Sequence, residues 1–160
     1  MPSNSVDLTI PLSNLDTEDL LREWRWCIPE GYTPIQMTKF GDWFFVDQRQ
    51  HVRVLDLIEG TLQEVALTIP AYNELKNTPD KHSEWFLDGL VFRCVEEGMP
   101  LGPSQCYGWR VHPMLGGKTA FENIQVFSLR VYQSLMGQLF RQYRNLKPGD
   151  PIPPPRIEPG

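Results

Sequence analysis

Residues 33–66, TPIQMTKFGDWFFVDQRQHVRVLDLIEGTLQEVA, decide the fold. The runs TPIQMTKF, DWFFVDQ, HVRVLDLI and LQEVAL are short and rich in β-branched and aromatic side chains, which suit a pleated, half-buried surface. Gly41-Asp42, Gln48–Gln50 and Glu59-Gly60-Thr61 separate them. Turn residues between short apolar runs predict consecutive antiparallel hairpins over about 33–67. Gly60 is placed where a turn asks for a positive φ.

Helical patterns flank this stretch on both sides. A helix is predicted over 17–27, with Asp16 as N-cap, Glu18 and Asp19 in its first turn, and Leu20, Leu21, Trp24 and Cys27 at helical spacing. Pro29 and Glu30-Gly31 stop it. Downstream, a short helix over 71–78 ends before Pro79, and a second runs from Ser83 to Glu97 before Gly98 and Pro100. The apolar stretch EWFLDGLVFRCV within it marks a helix packed against several neighbours. The last helix, about 128–145, begins at Ser128 and carries an apolar stripe of Leu129, Tyr132, Leu135, Met136, Leu139, Phe140 and Tyr143. Arg130, Gln133, Arg141 and Arg144 fall off that stripe, and Gly137 marks a place where a neighbour packs closely. The expected class is α+β: an antiparallel sheet of consecutive hairpins packed against several helices, in one domain over 1–146. Residues 147–160, KPGDPIPPPRIEPG, hold six prolines and are expected to be an extended or disordered tail.

Composition narrows the function classes. A 160-residue chain that is 41% hydrophobic, with five Trp and eight Phe, has material for a core without disulfide or metal. Cys27, Cys94 and Cys106 form no CxxC pair, so they read as free thiols in a reducing compartment. The start, MPSNSVDLTIPLSN, lacks the basic and apolar regions of a signal peptide, and no apolar run reaches membrane-span length. A cytoplasmic location is expected, with no membrane partner. The net charge of −5 argues against nucleic acid as a partner. That charge is uneven: residues 1–80 carry 13 acidic and 6 basic side chains, whereas residues 81–160 carry 7 and 9. The acidic half is either solvated surface or a face for a basic partner.

The stretch with the look of chemistry is Gly116-Gly117-Lys118-Thr119. A Walker-type phosphate loop needs a glycine five residues before the one preceding lysine, and that position is His112. The preceding Pro-Met-Leu and the extended NIQVFS that follows lack the strand–loop–helix setting such a loop uses. No nucleotide, other small-molecule ligand or cofactor is expected. His51, His82 and His112 are scattered without metal-ligand spacing. A Cys106–His112 nucleophile pair remains conceivable, without an identifiable orienting group. Residues 98–125 are left as a long, ordered loop anchored by Leu101, Tyr107, Trp109, Met114 and Leu115.

Those residues carry a family resemblance. LGPSQCYGWRVHPMLGGKTAFENIQVFSLRVYQSLMGQLFRQ, residues 101–142, resembles the C-terminal domain of immunity proteins that neutralise type VI secretion DNase effectors. The matching elements are Gly98 with Leu101, Tyr107-Gly108, Leu115-Gly116-Gly117, Glu122-Asn123 and Gln138-Leu139. Phe40-Gly41 and Val54-Leu55-Asp56 are similar to that domain's opening hairpins, so the resemblance spans about 30–143. Larger members carry a GAD-like region before this domain, where this chain has a short segment.

The resemblance implies a non-enzymatic protein that binds and blocks a cognate toxin in the cytoplasm of the producing cell. It supplies no catalytic residue. Tyr107, Gly108, Leu115, Gly116, Gly117, Asn123 and Gln138 are expected to shape the fold, with Gly116 and Gly117 turning the chain and Lys118 solvated. Asp42, Asp47, Asp56 and Glu59 are the candidates for an acidic face toward a basic nuclease. An adaptor that docks through its proline-rich tail, and an enzyme built on Cys106 and His112, are the alternatives.

Overall fold

A computed structural model describes residues 7–147 and 149–158 of the chain. The first six residues of the N-terminal stretch, and Pro148, Pro159 and Gly160 of the tail, lie outside the described residues.

The 33–66 stretch forms four strands, β1 (Thr33–Met37), β2 (Trp43–Val46), β3 (Val52–Asp56) and β4 (Thr61–Ala66). They pair in chain order as an antiparallel meander. All four residues of β2 are buried, because helices cover both faces of the sheet. Side chains alternate across a strand, so Trp43, Phe45 and Leu55 enter one core, whereas Phe44, Val52 and Val54 enter the other. Gly60 has φ +70°, and a Cβ there would lie 2.1 Å from the Phe140 ring. The position therefore excludes side chains on two counts.

The first core is closed by the last helix, which with its shorter partners takes its label in chain order. These are α1 (Thr17–Leu20), α2 (Ile69–Lys76), α3 (Pro79–Phe86), α4 (Asp88–Glu96) and α5 (Leu129–Tyr143). Tyr132, Met136, Leu139 and Phe140 of α5 meet Trp43, Phe45 and Leu55, together with Leu21 and Trp24. Ser128 caps α5 by accepting from the Val131 N–H. At Gly137 a Cβ would come within 2.7 Å of the Glu23 carbonyl oxygen, so the expected close neighbour is the chain after α1. Trp26 fastens the same approach by donating its indole N–H to Gly137 O at 3.2 Å.

Four expectations need correction. The helix over 17–27 is one α-turn capped by Asp16, followed by a 3₁₀ turn at Arg22–Trp24. The tight approach at Gly137 sits there, and the irregular turn lets Leu21 and Trp24 both face the core. The helix over 83–97 begins earlier, at Pro79, and breaks at Leu87, whose φ of +50° is left-handed. Such a conformation costs a leucine about 1–2 kcal/mol. The break serves two cores: Phe86 joins the sheet's second face, and Val91 and Cys94 pack on a separate hairpin. That hairpin is β5 (Gln105–Trp109) with β6 (Ile124–Ser128), so the long loop over 98–125 contains a paired strand. Finally, Gln133, placed off the apolar stripe, is fully buried.

Candidate functional site

Between the second face of the sheet and α3 lies a hollow of about 400 Å³. Val54, Asp56 and Gln63 form its floor, Lys81, Glu84 and Trp85 its helical wall, and Asp42 reaches it from the β1–β2 turn. Two of the four candidate acids, Asp42 and Asp56, thus meet in one place, joined there by Glu84.

Local turn chemistry positions both. Asp42 Oδ1 accepts the Leu57 N–H at 2.8 Å, and Oδ2 accepts the Thr38 hydroxyl at 3.3 Å. Asp56 Oδ1 accepts the N–H groups of Ile58 at 2.7 Å and Glu59 at 3.3 Å. Each carboxylate therefore closes a turn before it does anything else. Burial, and then the nearby charge of Asp56, push the Asp42 carboxyl up to about 8, against the opposing pull of the Leu57 N–H and the Thr38 hydroxyl. A group poised in this way would gain most from a cation that enters the hollow. Lys81 contributes a positive charge, held by Glu84 at 2.9 Å and lying over the Trp85 ring.

The other two candidates lie apart from Asp42. Glu59 is exposed on the β3–β4 turn. Asp47 is buried at the far end of β2, where it accepts from the N–H groups of Arg49 and His51 and from Arg53 Nε at 3.0 Å. Burial raises its pKa, but Arg53 and the two N–H groups outweigh that and hold the carboxyl below its ordinary range. Asp47, His51 and Glu64 are close enough to offer three ligand atoms to an ion. The Arg53 guanidinium already bonds Asp47 and approaches Glu64 at 3.5 Å, while His51 meets Glu64 at 2.7 Å. This cluster is an ion-pair network with its own cation in place.

The Cys106–His112 pair has no free base. His112 Nε2 donates to Leu57 O at 2.8 Å, and Nδ1 accepts the Met114 N–H at 3.0 Å. Burial lowers the His112 pKa and raises that of Cys106, which is fully buried. Both side chains tie the 106–115 segment to the sheet.

The motif residues act on the backbone. Gly116 has φ +96°, and a Cβ on Gly117 would lie 1.6 Å from Val111 O. Asn123 clamps this turn: its Nδ2 donates to Val111 O and Lys118 O, and its Oδ1 accepts the Val111 N–H. Leu115 and Lys118 are exposed at the turn. Tyr107 donates its hydroxyl to Met99 O at 2.6 Å. A Cβ on Gly108 would meet the Tyr132 ring at 2.4 Å. Gln138 is buried and pairs with the tail. Sequence reasoning did not find Glu84 and Trp85, because nothing in a lone helical pattern says which sheet face it will cover.

Residues 66–140 match the family described as T6SS immunity protein Tdi1, C-terminal. The matched span includes α3 and the β5–β6 hairpin with its Asn123 clamp, while Asp42, Asp47, Asp56 and Glu59 lie before it. No curated protein matches the chain in sequence. Among solved structures, that of Atu4351 from Agrobacterium tumefaciens is similar at a TM-score of 0.46 and 14% identity, covering 66% of this chain and 53% of that one. The chain thus spans about half the length of that structure, and the likeness is loose. Across residues 66–140 the chain matches the C-terminal domain of the type VI secretion immunity proteins, and the resemblance drawn from its sequence holds over that span.

Proposed function

We propose that the chain is an immunity protein that binds a cognate type VI effector, a nuclease, and blocks it without chemistry of its own. The observation that carries this reading is the family match over 66–140. The hollow between the sheet and α3 supports a place for the contact. It holds Asp42, Asp56 and Glu84 beside the apolar surfaces of Val54 and Trp85. That combination suits an arginine or lysine presented by a basic nuclease surface: the stem packs on apolar atoms and the head meets carboxylates. Glu59 on the β3–β4 turn, and the acidic excess of residues 1–80, would speed encounter with a positively charged partner. The producing cell's cytoplasm is the setting this role requires. Among the described residues no helix is long and apolar enough to cross a membrane.

The test is a nuclease assay with the effector encoded beside this chain. One equivalent of the purified chain is expected to abolish DNA cleavage and to co-elute with the effector. An effector that stays fully active and elutes alone would overturn the reading.

A further inference from the structure

The proline-rich tail lies along the outside of α5, held by an arrangement that reads main chain. Gln138 Oε1 accepts the Glu158 N–H at 2.7 Å, and its Nε2 donates to Glu158 O at 3.0 Å. One turn later, Gln142 Oε1 accepts the Arg156 N–H at 2.8 Å, and its Nε2 donates to Arg156 O at 2.5 Å. Tyr143 adds its hydroxyl to Pro153 O at 2.5 Å. Each glutamine amide thus pairs with both polar groups of one tail residue, as a neighbouring strand would. Spacing makes this possible. Four helical residues rise about 6 Å, and two residues of an extended polyproline-type chain rise about 6 Å. Glutamines four apart on α5 therefore stay in register with residues two apart in the tail, which runs antiparallel to the helix.

The seat extends beyond the pairs. A hollow of about 360 Å³ adjoins them, lined by Arg22, Glu23, Val131, Ser134, Leu135 and Ile157. Val131, 57% exposed, gives this hollow part of its apolar wall. Residues 153–158 contribute three N–H groups, those of Arg156, Ile157 and Glu158, and the two that alternate are the two the glutamines accept. Nothing in these pairs depends on the tail's side chains, so any extended segment that presents two alternate N–H groups meets the same requirement.

We propose that the outer face of α5 is a peptide-binding groove in which Gln138 and Gln142 read the main chain of an extended segment. Residues 153–158 are its built-in occupant, displaceable by an extended, proline-tolerant segment of a partner protein. This surface lies on α5, away from the acidic hollow at α3, and stands or falls independently of the toxin reading.

The probe is a fluorescently labelled peptide of residues 151–160, titrated against the full chain carrying Arg156→Pro and Glu158→Pro. These substitutions delete both N–H donors yet keep the backbone extended, so they vacate the seat without shortening the chain. Saturable binding is expected. On the unaltered chain binding should be at least about tenfold weaker, because the tethered tail competes at roughly millimolar effective concentration. Adding Gln138→Ala and Gln142→Ala should abolish binding, as should N-methylation of the peptide at the two amides. Failure of the folded variant to bind, or binding indifferent to the glutamines, overturns the proposal. Formation of tail-exchanged dimers instead of peptide binding also overturns it, since the groove would then serve a second copy. Amide exchange on the unaltered chain gives a reading that does not depend on the proline variant. Arg156 and Glu158 should exchange slower than in the free peptide, and Gln138→Ala with Gln142→Ala should release them while α5 stays protected. Free-peptide exchange rates in the unaltered chain would overturn the proposal.

Discussion

Gln133 on α5 accepts the indole N–H of Trp43 on β2 at 2.9 Å, and returns its own N–H to Gly41 O at 2.8 Å. This one side chain, with no exposed surface, joins the last helix to the sheet through a polar bridge inside an apolar core. Gln133→Leu leaves a buried N–H and a buried C=O without partners, each costing about 1–3 kcal/mol. A loss of about 2–4 kcal/mol is expected, read as a lower denaturant midpoint with an unchanged slope. An unaltered midpoint would mean that water or a neighbour takes over both bonds.

The glycines of the matched region give a second, graded prediction. Gly117→Ala places a methyl group 1.6 Å from the Val111 carbonyl oxygen, and Gly108→Ala places one against the Tyr132 ring. The first clash is with backbone that Asn123 already clamps, so the turn must open. A loss of more than about 2 kcal/mol is expected, with rapid amide exchange at Val111. Gly89→Ala, in α4 with nothing within 4 Å, is the control and should be neutral or stabilising by about 0.5–1 kcal/mol.

Asp42 predicts a pH dependence. Its carboxyl titrates higher in the folded chain, near 8, than in the unfolded chain, so folding favours the protonated form. That contribution is fully present below about pH 4 and is lost as pH rises through about 8. Asp42→Asn keeps an acceptor for the Leu57 N–H and removes the titration. The variant should match the unaltered chain at pH 4 and exceed it by about 1–3 kcal/mol at pH 9, a figure discounted for the water that reaches this half-buried group. Parallel stability curves across pH 4–9 would contradict this.

The same carboxyl links to binding. A cation in the hollow stabilises the carboxylate, so partner binding should release a proton below about pH 8 and tighten as pH rises from 6 to 8. Calorimetry in buffers of different ionisation enthalpy measures the proton count. Asp42→Asn should bring it to zero at this site.

Much of the architecture is legible in residues 33–66, because turn residues and β-branched runs are local signals. The four strands follow directly from that pattern. The split at Leu87 is not legible, since a leucine in a left-handed conformation is stabilised by two cores that only the folded chain brings together. Strand β5 hides among Gly, Pro and aromatic residues, and its partner β6 is not adjacent in sequence: even the nearest pair, Trp109 with Ile124, is 15 residues apart. Gln133 shows the limit of patterning: hydropathy places it outside, and a hydrogen bond to Trp43 brings it in. As for the hollow, the sequence offers its acids but not their grouping. Asp42 and Asp56 converge because both close turns at one end of the meander, while Asp47 closes a turn at the other.

The proposed contact joins the acidic hollow and the exposed Glu59 to a basic effector. The most direct measurement is the affinity and association rate of the adjacent effector for the unaltered chain and for Glu59→Lys with Glu84→Lys. Glu84 lines the hollow and Glu59 is exposed on the β3–β4 turn; neither side chain closes a turn, and the exposed pair of Glu84 with Lys81 is worth at most about 1 kcal/mol, so the variant should nearly keep its thermal midpoint. Association slowed by about tenfold or more at low salt, with the difference shrinking as salt is added, is the result predicted. Equal rates and equal affinity for the two proteins would contradict it.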